Sequence, residues 1–226
     1  MTNYFLFDLA NFPKSYLPLL DQSYNIWEQT YTSILSASGE QVNPDDFWRA
    51  KILAVIERDN EVLGLHLYNS FDLSCPSSLK HSYFKYLSSE KTQEIRQKNI
   101  NKLMTCEFLT VNPKYRGNKK EGISWGEVIV GLCSRVFIQS PWDGLIGISR
   151  MDFKVDKMSM SVGALSIGEV SRHKVDCKII IATRNELKEH VNPSTEEIIS
   201  TLWNQVQNHT PWINTKTNVR TLKEVA

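Results

Sequence analysis

Apolar residues recur every three or four positions between residues 16 and 37, at Leu17, Leu20, Tyr24, Trp27, Tyr31 and Ile34. That is the period of a helix with one buried face, and Pro18 suits its first turn. The pattern then changes. In KILAVIERDNEVLGLHLYNSF two apolar runs flank Asp59-Asn60, a dipeptide that tolerates left-handed turn conformations, so residues 52–68 predict a β-hairpin. Residues 71–101 are polar, without a wide apolar stripe, and predict a solvated helical insert. KLMTCEFLTV is apolar on both alternating faces except for Glu107, as in a strand at the middle of a sheet. Residues 123–137 again show one helical face, at Trp125, Val128, Ile129, Leu132 and Val136. GLIGIS (144–149) predicts a strand, 153–162 a weaker helix, and VDCKIIIAT (175–183) a late strand. Ser194-Thr195-Glu196-Glu197 resembles a capping box opening a last helix over 195–207. The order predicts one domain over 1–226 built on a mixed α/β sheet. Its core spans about 50–183, with the helical insert at about 70–101 and a C-terminal helix and tail at about 194–226.

Composition narrows the classes. The chain has 226 residues, 41% hydrophobic and 23% charged, with a net charge of +1. This suffices for one sizeable core. It lacks the basic excess of a nucleic-acid binder. No run of eighteen apolar residues predicts a membrane span. The start, MTNYFLFDLANFPKSY, has no basic stretch followed by an apolar one, so no secretory leader is expected. The four cysteines, Cys75, Cys106, Cys133 and Cys177, are far apart in sequence and suggest neither a zinc motif nor a disulfide scaffold. A cytoplasmic location is expected.

The informative stretch is FLTVNPKYRGNKKEGISWGEVIVGLCSRV (108–136). It runs from a strand through a basic loop into a helix. A helix start leaves backbone N–H groups unpaired and carries partial positive charge. Glycine there admits close approach of a ligand. Gly122-Ile123-Ser124, with Arg116, Lys119 and Lys120 upstream, could cradle a pyrophosphate; an ordinary strand-to-helix turn is the alternative.

LTVNPKYRG followed by GISWGEVIVGL resembles the central motif of the GNAT superfamily of N-acetyltransferases: an apolar strand, Val-x-Pro, an aromatic, Arg-Gly and a glycine-rich helix start. DFKVDKMSMSVGAL resembles that family's following helix, and the hairpin falls where its second and third strands belong. Two features depart from the pattern. Asn118, Lys119, Lys120 and Glu121 intervene where the family usually has a single residue, and Ser124 stands at the family's third glycine. The resemblance implies a mostly antiparallel central sheet flanked by helices, with a splayed central strand pair. Leu109, Thr110 and Val111 would pair with the pantetheine arm of acetyl-CoA or another acyl-CoA. Arg116, Gly117, Asn118, Lys119, Gly122, Ile123 and Ser124 would surround its pyrophosphate. No metal is implied.

An attacking amine must lose a proton, and Glu107 is the candidate base. It is expected to share a strand face with Leu109 and Val111. Its alternative role is half of a structural ion pair with Arg150 or a lysine. Ser159 occupies the position where the family often has a tyrosine that protonates the departing thiolate. Cys133 and Cys177 read as core residues. His66, His81 and His173 show no ligand spacing and read as hairpin or surface residues.

The resemblance implies acetyl transfer from acetyl-CoA to a small-molecule or peptide amine. Phe108 or Phe153 is expected to close the cleft beyond an acetyl group. Two alternatives remain. One is long-chain acyl transfer from acyl carrier protein, as in acyl-homoserine lactone and N-acyl amino acid synthases. Those enzymes usually carry an arginine on the central strand where Phe108 stands. The other is a GNAT-like binding module without turnover. A dimer is compatible with either.

Overall fold

The computed structural model describes residues 1–117 and 122–215. The chain begins with β1 (Thr2–Asp8), followed by α1 (Leu17–Ser36) and the short α2 (Asp45–Trp48). The hairpin is β2 (Ile52–Arg58) and β3 (Glu61–Asp72), with positive φ at Asp59 and Asn60 as their turn requires. The insert is mostly turns and 3-10 segments with one helix, α3 (Ser89–Gln97), capped by Ser88. Then come β4 (Lys102–Val111), α4 (Trp125–Ile138), β5 (Gly144–Arg150), α5 (Val155–Ser161), β6 (Leu165–Arg172) and β7 (Val175–Ala182). The last elements are α6 (Pro193–Asn204) and β8 (Gln207–His209).

The strands form one sheet in the order β6-β7-β5-β4-β3-β2-β1-β8. The β4–β5 and β1–β8 pairs are parallel and the rest antiparallel. One face packs on α4 and α6 through Val128, Leu132, Val136, Ile199 and Leu202. The other is covered by α1 and α2, through Leu20, Trp27 and Phe47, and farther along by Tyr83, Phe84 and Ile95 of the insert.

Three strands escape the periodicity. β1 lies at the start of the chain, where both faces are buried and alternation disappears. β6 is an edge strand with an irregular burial pattern. β8 has only three residues. The last helix starts earlier than its sequence suggests: Asn192 caps it, accepting from the N–H groups of Ser194 and Thr195, and Pro193 fills the first turn. Glu196 of the expected capping box instead pairs with Arg135 of α4 and accepts from the backbone N–H of His190.

Two irregularities shape the middle of the sheet. β4 and β5 pair only from Leu103–Gly144 to Cys106–Gly147. Beyond that, β4 stays with β3 as far as Val111–Gly64, while β5 stays with β7 as far as Arg150–Cys177, and the two strands part. At the same level β4 shifts register against β3 between Leu65 and Leu67, and Phe108 takes φ +55°. A β-bulge of this kind adds a residue and re-aims its neighbours. A left-handed phenylalanine costs about 1–3 kcal/mol. Edge-to-face packing of its ring on Trp27 and Tyr31 offsets that cost.

Candidate active site

The parting of β4 from β5 opens a cleft of about 790 Å³ that passes through the sheet. The bulge decides what faces each side. Cys106, Leu109 and Val111 lie on the α4 face, whereas Phe108 joins the α1 cluster. Glu107 turns to the α1 face too, where Thr105 and Asn69 hold it. Glu107 therefore does not share a face with Leu109 and Val111. Unbroken alternation predicted that it would, and the extra residue reverses it.

Glu107 is buried and lines the cleft. Its Oε1 accepts from Thr105 Oγ1 at 2.7 Å and from Asn69 Nδ2 at 3.2 Å. Neither Arg150 nor a lysine is its partner: Arg150 is engaged with Asp152 and stacks over Phe153. Both bonds to Glu107 end on Oε1, which leaves Oε2 for a water or an amine. Tyr31 sits close by, its hydroxyl donating to the carbonyl of Leu109 at 3.1 Å, and burial pushes its pKa up to about 12.

At one mouth of the cleft, Ser124 caps α4, its Oγ accepting from Glu127 N–H. Gly122, with φ +65° and open space where a Cβ would stand, lets the chain turn into the helix without a side chain over its N-terminus. Gly117, Gly122, Ile123 and Ser124 all line this mouth. Arg116 lines it as well, with its guanidinium tied down: Nε donates to Val111 O and Nη2 to Thr30 Oγ1, both at 2.7 Å. Thr110 is buried, with its hydroxyl turned to Phe108 O, while Leu109 and Val111 border the cleft. Asn118 and Lys119 lie outside the described residues. Ser159, near the end of α5, is buried and reaches the cleft from the α4 side.

Both phenylalanines line the cleft. Phe108 is packed into the α1 cluster, and Phe153 is 54% exposed beneath Arg150. On the α4 side the cleft continues as an apolar recess between Leu145, Val162, Ala164, Ile180 and Leu187.

A second group of polar side chains was not legible in the sequence. His66, read as a hairpin or surface residue, is on the hairpin but only 2% exposed. Its Nε2 lies 3.2 Å from Cys106 Sγ, which is 3.4 Å from Cys133 Sγ. The hydrogen bond with Cys106 and the nearby His66 draw the Cys133 thiol down to about 6, while the same bond and burial push Cys106 up. Nothing in the spacing of residues 66, 106 and 133 signals this. Only the pairing of β3 with β4 under α4 brings them together. Cys177 is buried on β7, and His81 caps a 3-10 turn.

Comparison with solved structures gives the architecture a precedent. A CoA-dependent acyl-homoserine lactone synthase, BjaI, solved with SAM and isopentyl-CoA, matches over 100% of this chain and 99% of its own, with a TM-score of 0.60 and 10% identity. The acyl-homoserine lactone synthase LasI matches over 93% and 98%, with a TM-score of 0.57 and 14% identity. Arylalkylamine N-acetyltransferase 2 from Aedes aegypti matches over 80% and 99%, at 0.53 and 10%. The chain has the GNAT fold. No protein-family model matches it, and no curated protein is significantly similar in sequence. The sheet has the splayed central pair that the motif implied. No helix among the described residues is long and apolar enough to cross a membrane.

Proposed function

We propose that the protein is an acyl-CoA-dependent N-acyltransferase acting on a small amine. The observation that carries this reading is the cleft through the sheet, open where β4 leaves β5, with the start of α4 lining one mouth and a buried carboxylate facing the other side. In this reading the pyrophosphate rests on the N–H groups of Gly122, Ile123 and Ser124, with Gly117 allowing close approach. Arg116 fixes the end of β4, and Asn118 and Lys119 are further candidates for the phosphate on the strength of the motif. The backbone of Leu109, Thr110 and Val111, freed from β5, pairs with the pantetheine arm.

The thioester then lies in the opening and the amine enters from the α1 side. Glu107 Oε2 takes the amine proton, directly or through a water. The nitrogen bonds to the thioester carbonyl carbon, the C–S bond breaks, and the electron pair leaves with the coenzyme thiolate. Ser159 is the hydroxyl placed to donate toward that sulfur.

The apolar recess between Leu145, Val162, Ala164, Ile180 and Leu187 favours an acyl chain longer than acetyl. Isopentyl-CoA in the BjaI structure is a precedent for such a donor on this fold. Calorimetric titration and turnover with CoA, acetyl-CoA and hexanoyl-CoA, alongside acyl carrier protein thioesters, test the reading. Binding of the CoA compounds, with turnover rising from acetyl to hexanoyl, is expected. Acetyl-CoA turning over faster would restore the acetyltransferase reading, turnover of carrier-bound thioesters alone would change the donor, and no binding to any thioester would overturn the assignment.

A further inference from the structure

The proposed acyl transfer does not use the group formed by His66, Cys106 and Cys133. Its three donor atoms lie within 4.8 Å of one another and sit on three rigid elements, two neighbouring strands and the helix packed over them. The set contains imidazole nitrogen and thiol sulfur and no carboxylate. Such donors select thiophilic ions over magnesium or calcium. In a tetrahedral zinc site, metal–sulfur bonds of about 2.3 Å and metal–nitrogen bonds of about 2.0 Å place neighbouring ligand atoms roughly 3.5–3.8 Å apart. The His66–Cys106 and Cys106–Cys133 separations, 3.2 and 3.4 Å, need to open by only a few tenths of an ångström, and the His66–Cys133 separation is no more than 4.8 Å.

The surroundings suit a ligand. Tyr68 Oη lies 3.3 Å from His66 Nδ1, the outer contact that typically orients a metal-bound imidazole. Tyr4, 2% exposed and electrostatically linked to both thiols, packs in the same cluster as Tyr68 and Cys133. All three donors line the cleft, so the remaining coordination position opens into it.

We propose that His66, Cys106 and Cys133 form a three-ligand zinc(II) site whose fourth position faces the cleft and takes a thiolate that enters there. The ligand set stands independently of acyl transfer; the incoming thiolate rests on the coenzyme A reading above.

Cobalt(II), in place of zinc, is titrated anaerobically into the reduced full-length protein. One equivalent should give thiolate-to-cobalt charge-transfer absorption and tetrahedral visible bands, both removed by zinc. Cys106→Ser and Cys133→Ser should each lose much of the charge-transfer intensity, and Cys177→Ser should keep it. Tyr68→Phe keeps all three donors and should weaken binding by about 10–100-fold, the usual worth of an outer-shell partner. A Cys106→Ser/Cys133→Ser protein with a native circular dichroism spectrum and wild-type cobalt absorption would overturn the site. Should the double variant not fold, wild-type affinity in Tyr68→Phe together with a cobalt band lost in Cys177→Ser would overturn it instead. Coenzyme A added to the cobalt protein should shift the visible bands. If calorimetry shows coenzyme A bound and the bands stay unchanged, the open fourth position is wrong. If coenzyme A does not bind at all while the bands form, the acyltransferase reading fails and the metal site stands.

Discussion

The two sides of the opening in the sheet are built on the same few residues of β4, yet they hold opposite kinds of chemistry. On the α1 side, Glu107 is a carboxylate kept in place by neutral donors, Thr105 and Asn69, next in sequence to Phe108, whose ring packs on Tyr31 and Trp27. On the α4 side, one residue away, Cys106 meets Cys133 and His66, with Tyr68 against the imidazole. The bulge at Phe108 produces the difference. It gives two successive residues, Glu107 and Phe108, to one face and restores alternation at Leu109. A sheet with a hole through it can thus hold a hard, proton-accepting group on one side and soft sulfur on the other. That division would suit the proposed reaction, which takes a proton from one partner and releases a thiol from the other.

The sharpest way to break the comparison is to remove the proton acceptor. Glu107→Gln should slow the chemical step by about a hundredfold or more, the usual worth of a positioned base. It should also abolish the acidic limb of the pH–rate profile while leaving CoA affinity and the melting temperature near wild type. A lower melting temperature with turnover and pH profile retained would make Glu107 a structural residue.

The donor side is tested by charge. Ser124→Asp keeps a good helix cap and sets a carboxylate beside the pyrophosphate site. CoA affinity should fall by about tenfold or more, roughly 1.4 kcal/mol. The melting temperature without ligand should stay unchanged. Equal affinity in a calorimetric titration would move the pyrophosphate elsewhere.

The recess is tested by filling it. A Cβ at Gly147 meets Ile180 at 3.4 Å, ordinary contact, so Gly147→Val adds its bulk mainly to the opening. The ratio of hexanoyl to acetyl turnover should drop by about tenfold, within the 1–3 kcal/mol that small apolar changes in a pocket supply. An unchanged ratio would place the acyl chain outside this recess.

The smallest effect is expected far from both faces. Hydrogen bonds from Lys114 and Tyr115 hold the Glu61 carboxyl below its ordinary range. Its contribution to stability is therefore complete above the usual carboxylate pKa and lost as the pH falls through the lowered folded value. The site is exposed, so Glu61→Gln should shift the melting temperature by no more than about 3 °C at pH 7, and less at pH 3. A larger shift would give the strand-to-loop corner a role in shaping the phosphate mouth.

How much was legible follows the physics of each element. α1, the β2–β3 hairpin, β4, α4, β5 and β7 each carry a strong local period, and they stand where that period places them. The start of α4 was legible because a helix start needs glycine and a small capping residue at fixed offsets. Glu107 stood out in sequence as the carboxylate in an apolar strand, but the face it takes did not, because a bulge leaves no mark in composition when the residue that takes positive φ is a phenylalanine. β1 was hidden by burial on both faces, and β6 by its exposure at the sheet edge. The His66 group is a product of strand register alone.

The tethers of α1 to the end of β4 carry a consequence for how the molecule assembles. Tyr31 reaches Leu109 O across 78 residues of chain, and Arg116 reaches Thr30 across 86. Contacts this far apart in sequence demand closure of long loops before they contribute anything, and they slow folding. The hairpin and the β6–β7 pair are local and can form first. Sequence separation therefore predicts that α1 docks on the end of β4 after these local pairs have formed.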